Sequence, residues 1–195
     1  MEQIEKAAEH DDSGLQEMID LVAQRRAAGA APTLIKTAED PDEAVRLASL
    51  KVLSDVAGAA EVPAMVNLLV KARTPGEMQA AEDALAGTCI RQKDRAACGD
   101  QVAGALAGAQ GPAKLALLRV LRSVGGSKAL AAVRAAAKDP NAEIQDIAVR
   151  AMCEWQSVEA LPDVKELART AKDPKVKILA LRGFIRLVPL EEVSN

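Results

Sequence analysis

Large rings are almost missing from this chain: 195 residues hold one Phe, one Trp and no Tyr. Any core must then be built from Ala, Leu, Val and Ile, whose compact side chains let helices approach closely, and base handling by several stacked aromatics has little to draw on. Histidine is as scarce, with His10 alone. One imidazole cannot furnish the repeated His-Glu pairs of a di-iron centre, and the sequence identifies no Ser-His-Asp partners for it. His10 stands beside Asp11 and Asp12 in a predicted turn, which reads as solvated turn polarity or at most a weak cation site. Phosphate loops are absent too, because Gly104, Gly108, Gly111 and Gly125-Gly126 fit neither a P-loop nor a dinucleotide fingerprint. These absences argue against an enzyme and require no cofactor and no metal.

No stretch approaches the ~20 apolar residues of a membrane span. The polar opening Met1-Glu2-Gln3-Ile4-Glu5-Lys6 is not a secretory signal. Three cysteines, Cys89, Cys98 and Cys153, make no metal-finger spacing, and their odd number excludes complete internal pairing. A net charge of -3 gives no global attraction to nucleic acid or to an anionic membrane, so such binding would need a local patch.

What is present is a repeat. Hydrophobic residues make up 49% of the chain, enough for a sizeable core. A turn followed by a helix with one apolar face recurs with first apolar positions at Leu15, Val45, Met78, Ala113, Ile144 and Val176, in steps of 30 to 35 residues. The fourth residue after each is Ile19, Ser49, Glu82, Leu117, Ala148 and Ala180; the seventh is Val22, Val52, Leu85, Val120, Ala151 and Gly183. Only Glu82 breaks the apolar columns. Sliding that repeat back by one places Ala81 and Ala84 inside at the expense of Glu77, so two registers stay open there.

Proline placement tests the same frame, since proline suits a first helical turn and costs about 3 kcal/mol in a helix interior. Pro41, Pro75, Pro112, Pro140 and Pro174 stand at or before the repeated helix; Pro32, Pro63 and Pro162 open a shorter preceding helix; only Pro189 falls outside the scheme. The shorter helices carry Leu34, Ile35 and Ala38; Val62, Val66 and Leu69; Val102 and Leu106; Leu130 and Val133; and Leu161, Val164, Leu167 and Ala168. The Ala-rich run Val102 to Ala109, with two glycines, is a poor helix by propensity and is expected to be the most mobile segment.

Two-helix units of this length stack, because one unit cannot bury its apolar faces alone. The expected fold is therefore all-α, a right-handed α-solenoid of about six helical hairpins in one domain, with units at 1-29, 30-60, 61-97, 98-126, 127-158 and 159-190. The pairs Val45-Arg46, Ala113-Lys114 and Val176-Lys177 give the frame its resemblance to HEAT repeats, whose longer helix carries an apolar-basic pair; Leu15-Gln16, Met78-Gln79 and Ile144-Gln145 keep only a polar second member. The second half resembles HEAT modules (PBS lyase-type) of large exported bacterial multidomain proteins. The residues are Cys89-Ile90-Arg91, Asp94-Arg95 and Cys98, then Leu117-Leu118-Arg119-Val120-Leu121 with Val124-Gly125-Gly126, Glu154-Trp155, and Ala180 through Leu187. Where that family tends to place Pro after the Trp, this chain has Gln156.

The resemblance implies a non-catalytic scaffold or protein-interaction module, an accessory segment whose partner is a protein or a neighbouring domain; the setting it implies is extracytoplasmic if the segment belongs to an exported precursor, and cytoplasmic otherwise. The alternative class is a HEAT-like nucleic-acid-binding protein with a basic inner face, which the acidic total and the single Trp disfavour. A glycosylase-like or bilin-lyase-like activity finds no supporting residue set.

Candidate contact residues follow from the frame. One basic column holds Lys51, Arg119, Arg150 and Arg182, and a second holds Arg46, Lys114 and Lys177. In a HEAT-like arrangement either could face a partner's acidic groups; equally, they could pair with turn carboxylates such as Asp42, Asp139 and Asp173 as a ladder between repeats. Trp155 is either a binding hot spot or a plug at a helix end. The spacing of Cys89 and Cys98 admits a disulfide across Ile90 to Ala97 or two packed thiols; the exported-protein resemblance tips this towards the bridge. The last helix, with Leu181, Phe184, Ile185, Leu187 and Val188, has no obvious polar cap and is expected to be covered by a further segment or a second copy.

Overall fold

A computed structural model describes residues 28–194, together with Gly14 and Ile19. His10 and the expected first hairpin lie outside these residues, apart from Ala28, Gly29, Gly14 and Ile19; the last two are helical, Ile19 being buried. The fold is an all-α helical-repeat solenoid, with ten α-helices and no strand among the described residues. None of these helices is long and apolar enough to cross a membrane.

The chain divides into two compact units, Met1–Gln92 and Lys93–Asn195. The first unit contains α1 (Ala31–Thr37), α2 (Glu43–Val56), α3 (Val62–Val70) and α4 (Pro75–Arg91). The second contains α5 (Arg95–Leu106), α6 (Gly111–Val124), α7 (Ser127–Ala136), α8 (Ala142–Cys153), α9 (Leu161–Thr170) and α10 (Pro174–Ser194). In the first unit the shorter α1 and α3 alternate with the longer α2 and α4; in the second, α9 is shorter than α10, whereas α5 and α6, like α7 and α8, are of similar length.

The helix starts are written locally. Asp42 accepts from the Ala44 and Val45 N–H groups ahead of α2, and Asn141 does the same for Glu143 and Ile144 ahead of α8. Thr74 caps α4 through the Glu77 N–H, and Asp94 caps α5 through that of Ala97. Such caps satisfy amides that have no partner inside the helix. Prolines occupy the first turn of α1, α3, α4, α6 and α9. Between α6 and α7 the chain turns through Gly125 (φ 85°) and Gly126 (φ 117°), a pair of left-handed residues that a side chain would disfavour.

The Val102 to Ala109 run is helical as far as Leu106, where α5 ends, with Val102, Ala103 and Leu106 buried. Packing outweighs the weak propensity of Gly104. Pro189 does not end the last helix, which continues to Ser194. A proline near a helix end forfeits one backbone hydrogen bond, and its fixed φ is already helical.

Within each unit helices of one kind pack in layers. In the first, α2 lies on α4 and α1 on α3; in the second, α6 lies on α8, α8 on α10, and α5 on α7. The core follows the repeat columns, with Val52, Leu53, Leu69, Ala84 and Leu85 in the first unit and Leu117, Val120, Leu130, Ala148, Ala151 and Ala180 in the second. Ser49 sits in an apolar column yet is satisfied, because its hydroxyl shares a 2.7 Å hydrogen bond with that of Thr37. In the hairpin with two open registers positions of both face inward: Glu77, Ala81 and Ala84 of the slid-back one are buried, and so are Glu82 and Leu85 of the other, while Met78 is half-buried.

Candidate functional site: the basic columns and the face of the last helix

The inward Glu77 is explained by Arg46, thirty-one residues earlier on α2. Arg46 Nε and Nη2 donate to Glu77 Oε1 at 2.9 and 2.5 Å, and Nη1 donates to the carbonyls of Asp40 and Pro41 at 2.8 and 2.6 Å. Glu77 Oε2 accepts from the Arg73 N–H at 2.8 Å. Arg46 is only 6% exposed and Glu77 4%. Burial by itself would push the Glu77 carboxyl up, but the Arg73 N–H, the Arg46 hydrogen bonds and the two guanidinium charges outweigh it and hold the carboxyl below the ordinary glutamate range. Arg46 therefore ties the turn of one hairpin to the start of α4 and is not offered to solvent.

Lys114, its counterpart on α6, reaches forward to the following hairpin, where Nζ meets Asp139 Oδ2 at 2.6 Å. That hydrogen bond, assisted by the Asn141 N–H, holds the Asp139 carboxyl below its usual range. Gln145 donates to the Ala137 carbonyl of its own hairpin. In the other column Arg150 pairs with Asp146 one turn away at 2.7 Å, and the neighbouring Asp173 and Glu154 add to the field that raises its guanidinium pKa after Asp146 itself. Arg119 is half-buried on α6. Lys51, Lys177 and Arg182 are exposed and form no ion pair among the described residues. Arg46 and Lys114 thus join successive hairpins, Arg150 pairs within its own helix, and Lys51, Lys177 and Arg182 point outward.

Trp155 is wholly buried just beyond α8, so it packs the interior and presents no surface. Its indole N–H is buried without a hydrogen-bond partner, a desolvation cost of about 1–3 kcal/mol that the ring's burial must exceed. The sequence reading missed its clamp, Arg186 of α10, whose guanidinium donates to the carbonyls of Cys153, Glu154 and Trp155 at 3.1, 3.2 and 2.8 Å. Nothing in the spacing distinguishes Arg186 from Arg182, which faces solvent. Arg134 was missed likewise: it forks onto Asp163 from α7 to α9 and also holds the Glu159 carbonyl.

Cys89, Cys98 and Cys153 are all buried, Cys89 on the buried face of α4 with Leu85 and Cys98 on that of α5 with Val102.

The face of α10 turned away from the core differs from every other described helix. Ala180, Gly183 and Leu187 are buried, whereas Ile178, Leu181 and Ile185 are 51%, 44% and 70% exposed. Spacings of three and four place these three on one stripe. Lys175, Lys177 and Arg182 are exposed around it, and no acidic residue occurs from Pro174 to Pro189. At the repeat position of Leu181, Leu50 and Leu118 are buried; at that of Ile178, Leu115 is buried. Full burial of an aliphatic side chain stabilises by about 1.5–3 kcal/mol, which this stripe forgoes. The arrangement is suited to contact and not to bond-making chemistry, for it contains no nucleophile and no general base.

No protein-family model matches the chain, and no curated protein matches it. Solved structures similar to it include computationally designed armadillo repeat proteins for modular peptide recognition, at 15% identity and a TM-score of 0.48, covering 90% of this chain and 92% of that one. Another is a second designed armadillo repeat protein, at 16% identity and a TM-score of 0.48, covering 88% of this chain and 87% of the other.

Proposed function

We propose that this chain is a non-catalytic repeat module of HEAT type that engages another polypeptide, and that the Ile178, Leu181 and Ile185 face of α10 is where it does so. The observation that carries this reading is the exposure of Ile178, Leu181 and Ile185 along one stripe of α10, when Leu50 and Leu118 at the repeat position of Leu181 and Leu115 at that of Ile178 are buried. A contiguous apolar patch on an otherwise well-covered surface marks a contact site. The same reading makes the module an accessory segment that works beside other domains.

Site-specific photocrosslinking in cells tests it. A crosslinking residue at position 185 or 181 is expected to yield discrete protein adducts, and one at exposed Lys51 is expected to yield fewer. No adduct at 185 and 181 would reject the proposal. The nucleic-acid alternative is weakened by the ion pairs that occupy Arg46, Lys114 and Arg150, since each of these cations is already met by a carboxylate and not left to a phosphate.

A further inference from the structure

We infer that the α10 face takes an acidic amphipathic helix, with a carboxylate of that helix seated on Lys177. The inference rests on the reading above and names the chemistry of its partner. It comes from how the same position is used inside the two units. Arg46 and Lys114 occupy the repeat position of Lys177, and each is met by a carboxylate from the hairpin that follows, Glu77 for Arg46 and Asp139 for Lys114. Beside each of these pairs the apolar residue at the position of Leu181, Leu50 or Leu118, is covered.

On α10 both halves of that arrangement stand open: Lys177 is exposed and has no ion pair among the described residues, and Leu181 and Ile185 are exposed. The complementary surface is therefore a helix with apolar side chains at three- and four-residue spacing, flanked by Asp or Glu. A basic or neutral amphipathic helix would cover the stripe but set like charge, or none, against Lys175, Lys177 and Arg182.

Two fluorescent synthetic peptides of about 18 residues test this, one with a Leu stripe flanked by Glu and one with the same stripe flanked by Lys. Titrated with the full chain near physiological salt, the Glu peptide is expected to bind about tenfold tighter than the Lys peptide, the combined effect of a few exposed charge pairs. Ile185→Glu is expected to abolish binding of the Glu peptide, and Lys177→Glu with Arg182→Glu to reverse the preference. Equal binding of the two peptides, or binding of neither, overturns the inference.

Two further outcomes also overturn it. One is a concentration-dependent dimer in sedimentation that Ile185→Glu abolishes, which would make the occupant a second copy. The other is flotation with vesicles of about 30% phosphatidylserine that Ile185→Glu abolishes, which would make it a lipid surface. Adducts at position 185 without Glu-peptide binding would sink this inference and leave the proposed function standing, whereas no adduct at 185 and 181 would sink the proposed function itself.

Discussion

Arg46 of α2 and Glu77 of α4 form a buried ion pair in which one guanidinium joins two hairpins, donating to the carboxylate on one side and to the Asp40 and Pro41 carbonyls on the other. Four donor contacts of Arg46 are filled, and both Glu77 oxygens accept. Pairs of this kind are costly to break and cheap to replace, because removing one partner strands a desolvated charge. Glu77→Ala is therefore expected to lower the stability of the first unit by about 3–5 kcal/mol in urea unfolding. The double change Arg46→Met with Glu77→Leu should lose much less. A double variant as unstable as the single one would show that the charges, and not merely their pairing, hold the hairpins together.

The same carboxylate should make stability depend on pH. Folded Glu77 titrates below its ordinary value of 4.5, so as acid is added the unfolded chain takes up the proton first. Its contribution is complete above about pH 4.5 and is lost as pH falls through the lowered folded value. Urea midpoints measured between about pH 7 and pH 3 should fall more steeply for the native chain than for Glu77→Gln. Parallel curves would mean that other carboxylates dominate acid unfolding.

Gly183 on α10 offers a test in which two general rules disagree. Replacing glycine by alanine inside a helix ordinarily stabilises by about 1 kcal/mol. Here a Cβ at position 183 would run into the backbone carbonyl of Cys153 and crowd Val164. Backbone cannot swing aside as a flexible side chain can, so Gly183→Ala is expected to destabilise by about 1–3 kcal/mol. Gly104, whose Cβ would meet nothing, is the control and should gain stability on the same change. A stabilised Gly183→Ala variant would mean that α10 can shift away from the end of α8.

Burial raises the pKa of the Cys153 thiol to about 11, and all three cysteines are interior. Alkylation of the native chain near pH 8 should be slow, since the thiolate is the reactive species. Unfolding without reductant should release three reactive thiols. A count of one would mean that the bridge between Cys89 and Cys98 forms in solution.

The hairpins were legible because their signals are local. Proline positions, the caps Asp42, Thr74, Asp94 and Asn141, and the apolar columns depend on neighbours within one or two turns, and they mark the boundaries of nearly every described helix. The candidate contact residues were not legible in the same way. Arg46 and Lys51 belong to basic columns of the same helix, yet one is interior and the other in water. Arg182 and Arg186 stand one turn apart, and only Arg186 finds the end of α8.

Sequence alone determined that this protein is a run of helical hairpins with interiors of small aliphatic side chains, because secondary structure and its amphipathic faces arise from short-range periodicity. Only the tertiary structure decided which charges stitch hairpins together, that Glu77 and Trp155 lie inside, and that Ile178, Leu181 and Ile185 face outward. Those outcomes depend on which helix comes to rest against which. That is fixed by partners some thirty residues away, at distances no local pattern encodes.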